Sequence, residues 1–377
     1  MIPLSVPNLS GNEWVYIKEC LDTNWVSSVG SYVTLFENKV AQYCGSKHAI
    51  AISNGTSALH ISLMLAGVER EDLVVLPNIT FVASANSIKY TGADPILIDV
   101  EADTWQMDLD LLLSFLEKET ILRDNKCVHK VSQRIIRCIM PVHLLGNLCD
   151  MDKLMAIAAK FCLSIVEDAT ESLGSTYKDK PAGTFGLLGC LSFNGNKIIT
   201  TGGGGIIITD DDTLAKKAKH LTTQAKADPN EYYHDEVGYN YRLVNILAAM
   251  GVAQMEQLEG FIARKKEIAT LYNQGLADIE GFENQKIIPS VNANHWLYTV
   301  RLPKQKELLL TLRDHKIEAR PFWVPMNQLP AMHNDLYVSK TDISNDIYKN
   351  CLSLPCSTNI TDAEILQVVN VIKSVLC

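Results

Sequence analysis

A chain of 377 residues that is 47% hydrophobic and 20% charged is long enough to bury one large core and a smaller one, and it carries no low-complexity run. Its formal net charge of −9, from 34 Lys and Arg against 43 Asp and Glu, speaks against nucleic acid or an anionic membrane as a main partner and leaves a small molecule or another protein. The ten cysteines stand singly, without a C-x-x-C pair and several inside apolar runs, so neither a disulfide frame nor a metal site is expected.

The first residues, Met1-Ile-Pro-Leu-Ser-Val-Pro, lack a basic region followed by an apolar core, and no apolar run approaches the ~18 residues of a membrane span. The expectation is a cytoplasmic protein without a membrane segment. Helical spacing then appears at residues 13–21 and 32–43, the second ending before Gly45. Between them lies Trp25-Val-Ser27-Ser28-Val-Gly30, by residue type a turn-rich helix connection.

An apolar strand at 48–52 is followed by Ser53-Asn-Gly55-Thr56-Ser57, which opens a helix. A strand turning through glycine into a helix leaves unpaired N–H groups and a positive dipole end that suit a phosphate, with Thr56 and Ser57 hydroxyls adding hydrogen bonds. The same residues also read as an Asn-Gly turn with a capped helix. A strand at 73–76, a segment carrying Phe81, a helix to Tyr90 and a strand at 96–100 follow; Phe81, just past a strand end, is placed either to stack on a flat ring or to fill core. A loop and helix at 105–118, a polar segment at 119–133, a strand at 135–142 ending near His143 and a helix at 151–161 complete an alternating pattern. That alternation predicts a mostly parallel sheet with helices on both faces, and the lack of G-x-G-x-x-G after the first strand disfavours a nicotinamide dehydrogenase.

The strand at 163–166 runs into Glu167-Asp168, which places a carboxylate at the sheet's carboxyl edge, where open α/β sheets bind ligands. A second apolar strand, 187–193, leads through Asn194-Gly-Asn196 to Lys197 and then to four glycines, 202–205. A lysine that can form a covalent imine and an aspartate that keeps a pyridine nitrogen protonated suit pyridoxal phosphate. Further on come a strand at 206–209, a helix at 211–220, a polar loop at 228–234, and Gly238-Tyr-Asn240-Tyr-Arg before a long helix from 245 towards 276. Asn240 reads locally as a cap or turn. Near that helix the pattern changes to a smaller α+β unit with strands at 296–302 and 317–319 and helices at 307–315 and 361–376, giving expected domains 1–250 and 251–377. Arg320-Pro-Phe322-Trp323 in this unit is either a proline-stiffened loop or a cation with aromatics suited to a phosphorylated, ring-bearing ligand.

Glu167-Asp168-Ala-x-Glu171, Ser192-Phe-x-x-x-Lys197 and Thr-Thr-Gly-x-Gly-Gly together resemble the DegT/DnrJ/StrS family of pyridoxal-phosphate sugar aminotransferases, across nearly the whole chain and more weakly in its last third. The resemblance implies the aspartate-aminotransferase-like fold, a large α/β domain with a mostly parallel sheet plus a smaller C-terminal α+β domain. It implies Lys197 and Asp168 as catalytic residues and a cofactor site of Gly55, Thr56, Ser57, Phe81, Asp168, Glu171, Ser192, Lys197 and Asn240. Asn240 would reach the cofactor phosphate of a neighbouring subunit in a homodimer with shared sites. Substrate contacts fall on Ser27, Ser28, Arg320, Phe322 and Trp323. Two departures stand out: Glu171 where the family usually has Gln or His, and Gly203 where it usually has Glu.

The implied reaction takes nitrogen from an amino acid, glutamate in most members, and gives it to a keto nucleotide sugar for polysaccharide or lipopolysaccharide biosynthesis. Residues 2–14 and 192–197 look most like the enzymes that aminate C4 of UDP-4-keto-6-deoxy-N-acetylglucosamine towards legionaminic acid or bacillosamine. A dTDP- or GDP-linked sugar, or a non-catalytic sugar-binding or regulatory protein of the same fold, are the alternatives. A dehydratase of this fold would carry histidine at the lysine position, so Lys197 speaks for amino transfer.

Overall fold

Strands composed almost entirely of Val, Ile and Leu bury both faces, which requires helices on each side. In the computed structural model, which describes residues 1–228 and 230–377, eight strands lie side by side in the order His48–Ile52, Gly205–Thr209, Leu188–Ser192, Ser164–Asp168, Ile135–Ile139, Leu73–Pro77, Asp94–Ile98, Leu336–Val338. From Leu188–Ser192 onward all neighbours on this path are parallel, while Gly205–Thr209 runs against both of its neighbours. Successive residues of a strand face opposite ways. Val74 and Leu76 accordingly join the core beneath the helices Gly55–Leu65 and Asp212–Thr222, and Leu73 and Val75 join the core beneath Leu109–Glu119 and Met151–Lys160. This is the predicted α/β architecture.

A second, antiparallel sheet of Glu283–Asn284, Tyr298–Arg301, Cys351–Leu354 and Arg320–Pro321 packs on the helices Leu258–Leu276, Gln305–Asp314 and Asp362–Leu376 around its own core, which includes Tyr272, Val300 and Leu352. Two exchanges tie it to the large sheet. Leu336–Val338 leaves the C-terminal unit to become an edge strand of the large sheet, and Ile2 pairs with Ile317. The pattern-based division at residue 250 anticipated neither exchange.

Several boundaries differ from the pattern-based expectation for local reasons. The strand expected at 96–100 is Asp94–Ile98; Pro95 is tolerated because the outer neighbour begins pairing only at Ile96, so the missing N–H loses no partner. The polar segment 119–133 forms a hairpin, Thr120–Arg123 with Lys126–His129, whose turn residues Asp124 and Asn125 both have positive φ (51° and 57°), the backbone a tight two-residue hairpin needs. The long helix breaks into Asn245–Met255 and Leu258–Leu276 where Gln254 and Gln257 turn their amides to Asn8 and Glu13. The strand expected at 317–319 is displaced to Arg320–Pro321, because Ile317 is taken by its bridge to Ile2. The polar loop at 228–234 includes Pro229, which lies outside the described residues. Among the described residues no helix is long and apolar enough to cross a membrane.

The two units meet at Asn294, whose buried side chain donates from Nδ2 to the carbonyls of Glu171 and Leu173, each at 2.9 Å. Gly146 passes beneath it with φ +86°, and a Cβ there would lie 1.8 Å from Asn294 Oδ1. Gly146→Ala is therefore expected to lower stability by about 2 kcal/mol or more, whereas Gly45→Ala, with φ +65° in open space, should lose only about 1 kcal/mol. Urea midpoints of the two variants check this; equal losses would show that the Asn294 contact is not tight.

Candidate active site

The carboxyl ends of the strands and the start of Gly205–Thr209 converge on a cleft of about 500 Å³, closed on the far side by the C-terminal unit. Glu167 and Asp168 diverge because neighbours on a strand face opposite ways. Glu167 is fully buried below the cleft, where it accepts from Gly183, Phe185 and Gly186 N–H groups and from His143 Nε2 at 2.8 Å. Asp168 lines the cleft; its carboxylate accepts from Ser84 Oγ at 2.7 Å and from the Thr170 N–H at 3.2 Å. A carboxylate has about four acceptor positions, so this pair of bonds fixes Asp168 and leaves capacity for a further N–H.

Opposite lies the start of helix Gly55–Leu65. Asn54 caps it, accepting the Ser57 N–H on Oδ1 at 2.8 Å, which leaves Gly55 and Thr56 at the mouth with N–H groups that have no helical acceptor. Gly55 is required by close approach: a Cβ would lie 2.9 Å from Ser192 Cβ. Gly55, Thr56 and Ser192 all line the cleft, as does Gly203, around whose absent Cβ there is open space. Ser57 is buried behind this lip and does not line the cleft.

Lys197 enters from the loop after Leu188–Ser192 with its side chain 12% exposed. Its Nζ lies 3.8 Å from Glu171 Oε1 and 4.0 Å from the centroid of the Trp296 ring. Burial lowers the lysine's pKa, against the pull of Glu171 and Asp168. Burial also pushes Glu171 up to about 7, against the nearby Lys197 and the Leu145 N–H that donates to Oε2 at 2.8 Å. Both shifts favour the neutral forms of an amine and a carboxyl group that sit side by side. The departure at Glu171 thus places a second titrating group beside the lysine.

Phe81 lines the cleft and is 54% exposed, so its apolar face is turned to the cleft rather than to the core. It lies 6.4 Å from Trp323, which stacks at 6.4 Å and 19° on Trp296, while Phe322 packs under Trp323. Arg320, exposed, completes that wall.

Of the residues singled out by pattern, the cleft brings together Gly55, Thr56, Phe81, Asp168, Glu171, Ser192, Lys197, Arg320, Phe322 and Trp323. It does not bring in Ser27, Ser28 or Asn240 from the same chain: Ser27 offers its carbonyl to the Asn245 N–H, and Asn240 is exposed and pairs with Thr223. Ser84 and Trp296 were not read from the sequence as site residues. Among the described residues one group, His220 with Asp235 and Glu236, has spacing a metal could use; it lies outside the cleft wall, and Glu236 is already paired with Lys217.

This donor set fits pyridoxal phosphate: free helix N–H groups and Ser192 for the phosphate, a hydrogen-bonded buried carboxylate for the ring nitrogen, and an aromatic face and an amine between them.

The chain matches the DegT/DnrJ/EryC1/StrS aminotransferase family over residues 7–373. It is 39% identical to a GDP-perosamine synthase of Caulobacter vibrioides, covering 100% of this chain and 98% of the relative. It is 37% identical to a GDP-perosamine synthase of Escherichia coli O157:H7, covering 97% and 96%. Its fold matches a DegT DnrJ EryC1 StrS aminotransferase from Brucella abortus with TM-score 0.89 at 25% identity, covering 97% of this chain and 95% of that one.

The raised pKa of Glu171 carries a sign. A carboxyl group harder to ionise when folded (about 7) than when unfolded weakens the fold as pH rises through that interval. In the cofactor-free protein, Glu171→Gln should raise the denaturation midpoint at pH 8 relative to wild type, by more than it does at pH 5. A midpoint difference that does not grow with pH would contradict the assigned burial of charge.

Proposed function

The chain belongs to the DegT/DnrJ/EryC1/StrS aminotransferase family, the pyridoxal-phosphate-dependent sugar aminotransferases, and from that premise we propose that it moves an amino group from L-glutamate to the keto carbon, C4, of a sugar carried on a nucleotide. The observation that carries the reading is that Lys197 and Asp168 open onto one cleft together with a helix N-terminus whose first N–H groups have no helical acceptor.

In this reading Gly55, Thr56 and Ser192 would hold the cofactor phosphate, Phe81 would offer an apolar contact to its ring, and Asp168, fixed by Ser84 and Thr170, would keep the ring nitrogen protonated. Bound there, pyridoxal phosphate supplies an electron-withdrawing ring that stabilises negative charge on a substrate carbon. Lys197 holds the cofactor between turnovers. Once freed, its Nζ takes the proton from the donor's nitrogen-bearing carbon and returns a proton where the product needs one. Its lowered pKa keeps a neutral amine available. Glu171 accepts or supplies the proton that would otherwise leave Lys197 in the wrong state. Trp296, Leu145 and Phe322 keep water from that exchange. Arg320 is the cation suited to the donor's carboxylate or to a diphosphate.

The relatives named GDP-perosamine synthase favour a GDP-linked sugar. A UDP-linked 4-keto-6-deoxy-N-acetylglucosamine is the second reading, favoured by the segments at 2–14 and 192–197. Ten free thiols go with a reducing, cytoplasmic setting. We further propose a homodimer in which Ser27, Ser28 and Asn240 complete the partner's cleft. Large apolar side chains exposed between residues 14 and 29, Trp14, Val15, Trp25, Val26 and Val29 among them, support a second copy as the partner, and 1–250 and 251–377 serve as its cofactor-binding and closing lobes.

Purified protein should be yellow, and borohydride should fix the cofactor to Lys197. Lys197→Ala is expected to lose this fixation and to lower kcat by about 10⁴-fold or more. Glutamate should bleach the yellow form, and a GDP-linked 4-keto sugar should restore it faster than the UDP- or dTDP-linked one; restoration only by simple 2-oxo acids would overturn the sugar assignment. Mixing Lys197→Ala with Asn240→Ala chains should rebuild one sound site per hybrid, and verified hybrids that stay inactive would refute the shared site.

A further inference from the structure

Trp296 is unusually well fixed for a residue in a connecting loop. It sits between the short strand Val291–Asn292 and the strand Tyr298–Arg301 and is 3% exposed. Its backbone N–H donates to Asn294 Oδ1 at 2.8 Å, and its carbonyl accepts from Lys265 Nζ at 2.8 Å. Its indole Nε1 donates at 2.7 Å to the carbonyl of Asn196, the residue before Lys197. Two backbone bonds, one within the loop and one to helix Leu258–Leu276, fix the residue, and the indole bond to the loop carrying Lys197 fixes the ring. The face so held is the one that meets Lys197 Nζ at 4.0 Å, within the range where an ammonium is attracted to an indole. Asn294 serves both contacts of the amine, because the side chain that holds Trp296 also donates to the carbonyl of Glu171.

Lys265 shows that the arrangement is built. It is a lysine 3% exposed that makes no ion pair among the described residues and bonds instead to the carbonyls of Trp296 and Cys356 at 2.8 and 2.6 Å. Burying a lysine head group against two carbonyls and the Cys356 thiol, with no carboxylate beside it, is costly, so the segment it holds is one whose position is tightly specified.

We propose that Trp296 is a positioning residue for amino transfer: its indole face holds the Lys197 amine, beside Glu171, whenever that amine is not bonded to the cofactor. A free lysine has four rotatable side-chain bonds. A surface that receives its head shortens the search before proton transfer and keeps the head from drifting into solvent. The ring favours the ammonium over the neutral amine, so it opposes burial, and Glu171 and Asp168 face the same nitrogen. The inference rests on Lys197 being the reacting amine.

The test replaces Trp296 by Phe, by Leu and, by nonsense suppression, by ring-fluorinated tryptophan, which keeps shape and hydrogen bond but weakens the negative face. Trp296→Leu should lower kcat about 5- to 30-fold with KM for either substrate within about twofold, Trp296→Phe should recover part of the loss, and fluorination should reproduce part of it. In cofactor-free protein, acylation of Lys197, followed by peptide mapping across pH, should begin at lower pH for the Leu and fluorinated proteins, since less ammonium is stabilised. Equal kcat for wild type and fluorinated protein, a rise in KM in place of the fall in kcat, or an unshifted acylation profile would each overturn the proposal. Should the Leu protein not fold, the fluorinated protein alone decides. Borohydride fixation at a residue other than Lys197 would instead remove the functional reading itself; fixation at Lys197 with wild-type behaviour of the Trp296 series removes only this inference.

Discussion

The side-chain amide of Asn294 is the contact on which the site depends. The lysine, the two carboxylates and the helix N-terminus come from the large sheet, while the walls that exclude water from them come from a unit with its own core. Two packed units can slide by fractions of an ångström unless something polar and directional fixes them, because apolar contacts are non-directional. Asn294 does so with three hydrogen bonds across the seam, its N–H to Ser175 Oγ and its Nδ2 to the carbonyls of Glu171 and Leu173, while its Oδ1 accepts from the Trp296 N–H in its own loop. Gly146, with no Cβ, is what lets that side chain lie flat on the large unit.

The electrostatics follow from the closure. Removing water raises the cost of every isolated charge, so each carboxylate at this edge has a different fate according to the donors around it. Glu167 receives three backbone N–H groups and a histidine and serves as structure; Asp168 receives two donors and keeps room for a ligand; Glu171 receives one and is pushed toward its neutral form. Three acids within five residues thus divide into one held fast, one with room for a further donor and one pushed toward its neutral form. Sequence alternation on the strand separates the first two, and the turn after it separates the third.

Much of this was readable in advance where local chemistry decided it. The strand that ends on Asp168, the lysine after the next strand, and the Asn-Gly-Thr-Ser helix start all sit at the sheet's carboxyl edge as the pattern implied, because strand termini and helix starts are set by near neighbours. Partial signals existed elsewhere. Lys265 recurs at helical spacing with Phe261, Ile268 and Tyr272, a cation on a core face, which marks a buried polar anchor without saying what it holds. The helix break near Glu256 left no such trace, since it depends on amides that find partners near the N-terminus.

The sequence by itself determined the α/β class, the order of the motifs and which lysine, carboxylate and glycine-bearing turn meet at the sheet's carboxyl edge, because each rests on periodicity or on residues a few positions apart. Only the tertiary structure decided that Trp296 faces Lys197 across 99 positions of chain, that Leu336–Val338 returns to the large sheet, and that Glu171 is the acid that burial pushes toward its protonated form. Those outcomes depend on which surfaces pack together and how much water they exclude. Neither quantity is written in any local stretch of residues.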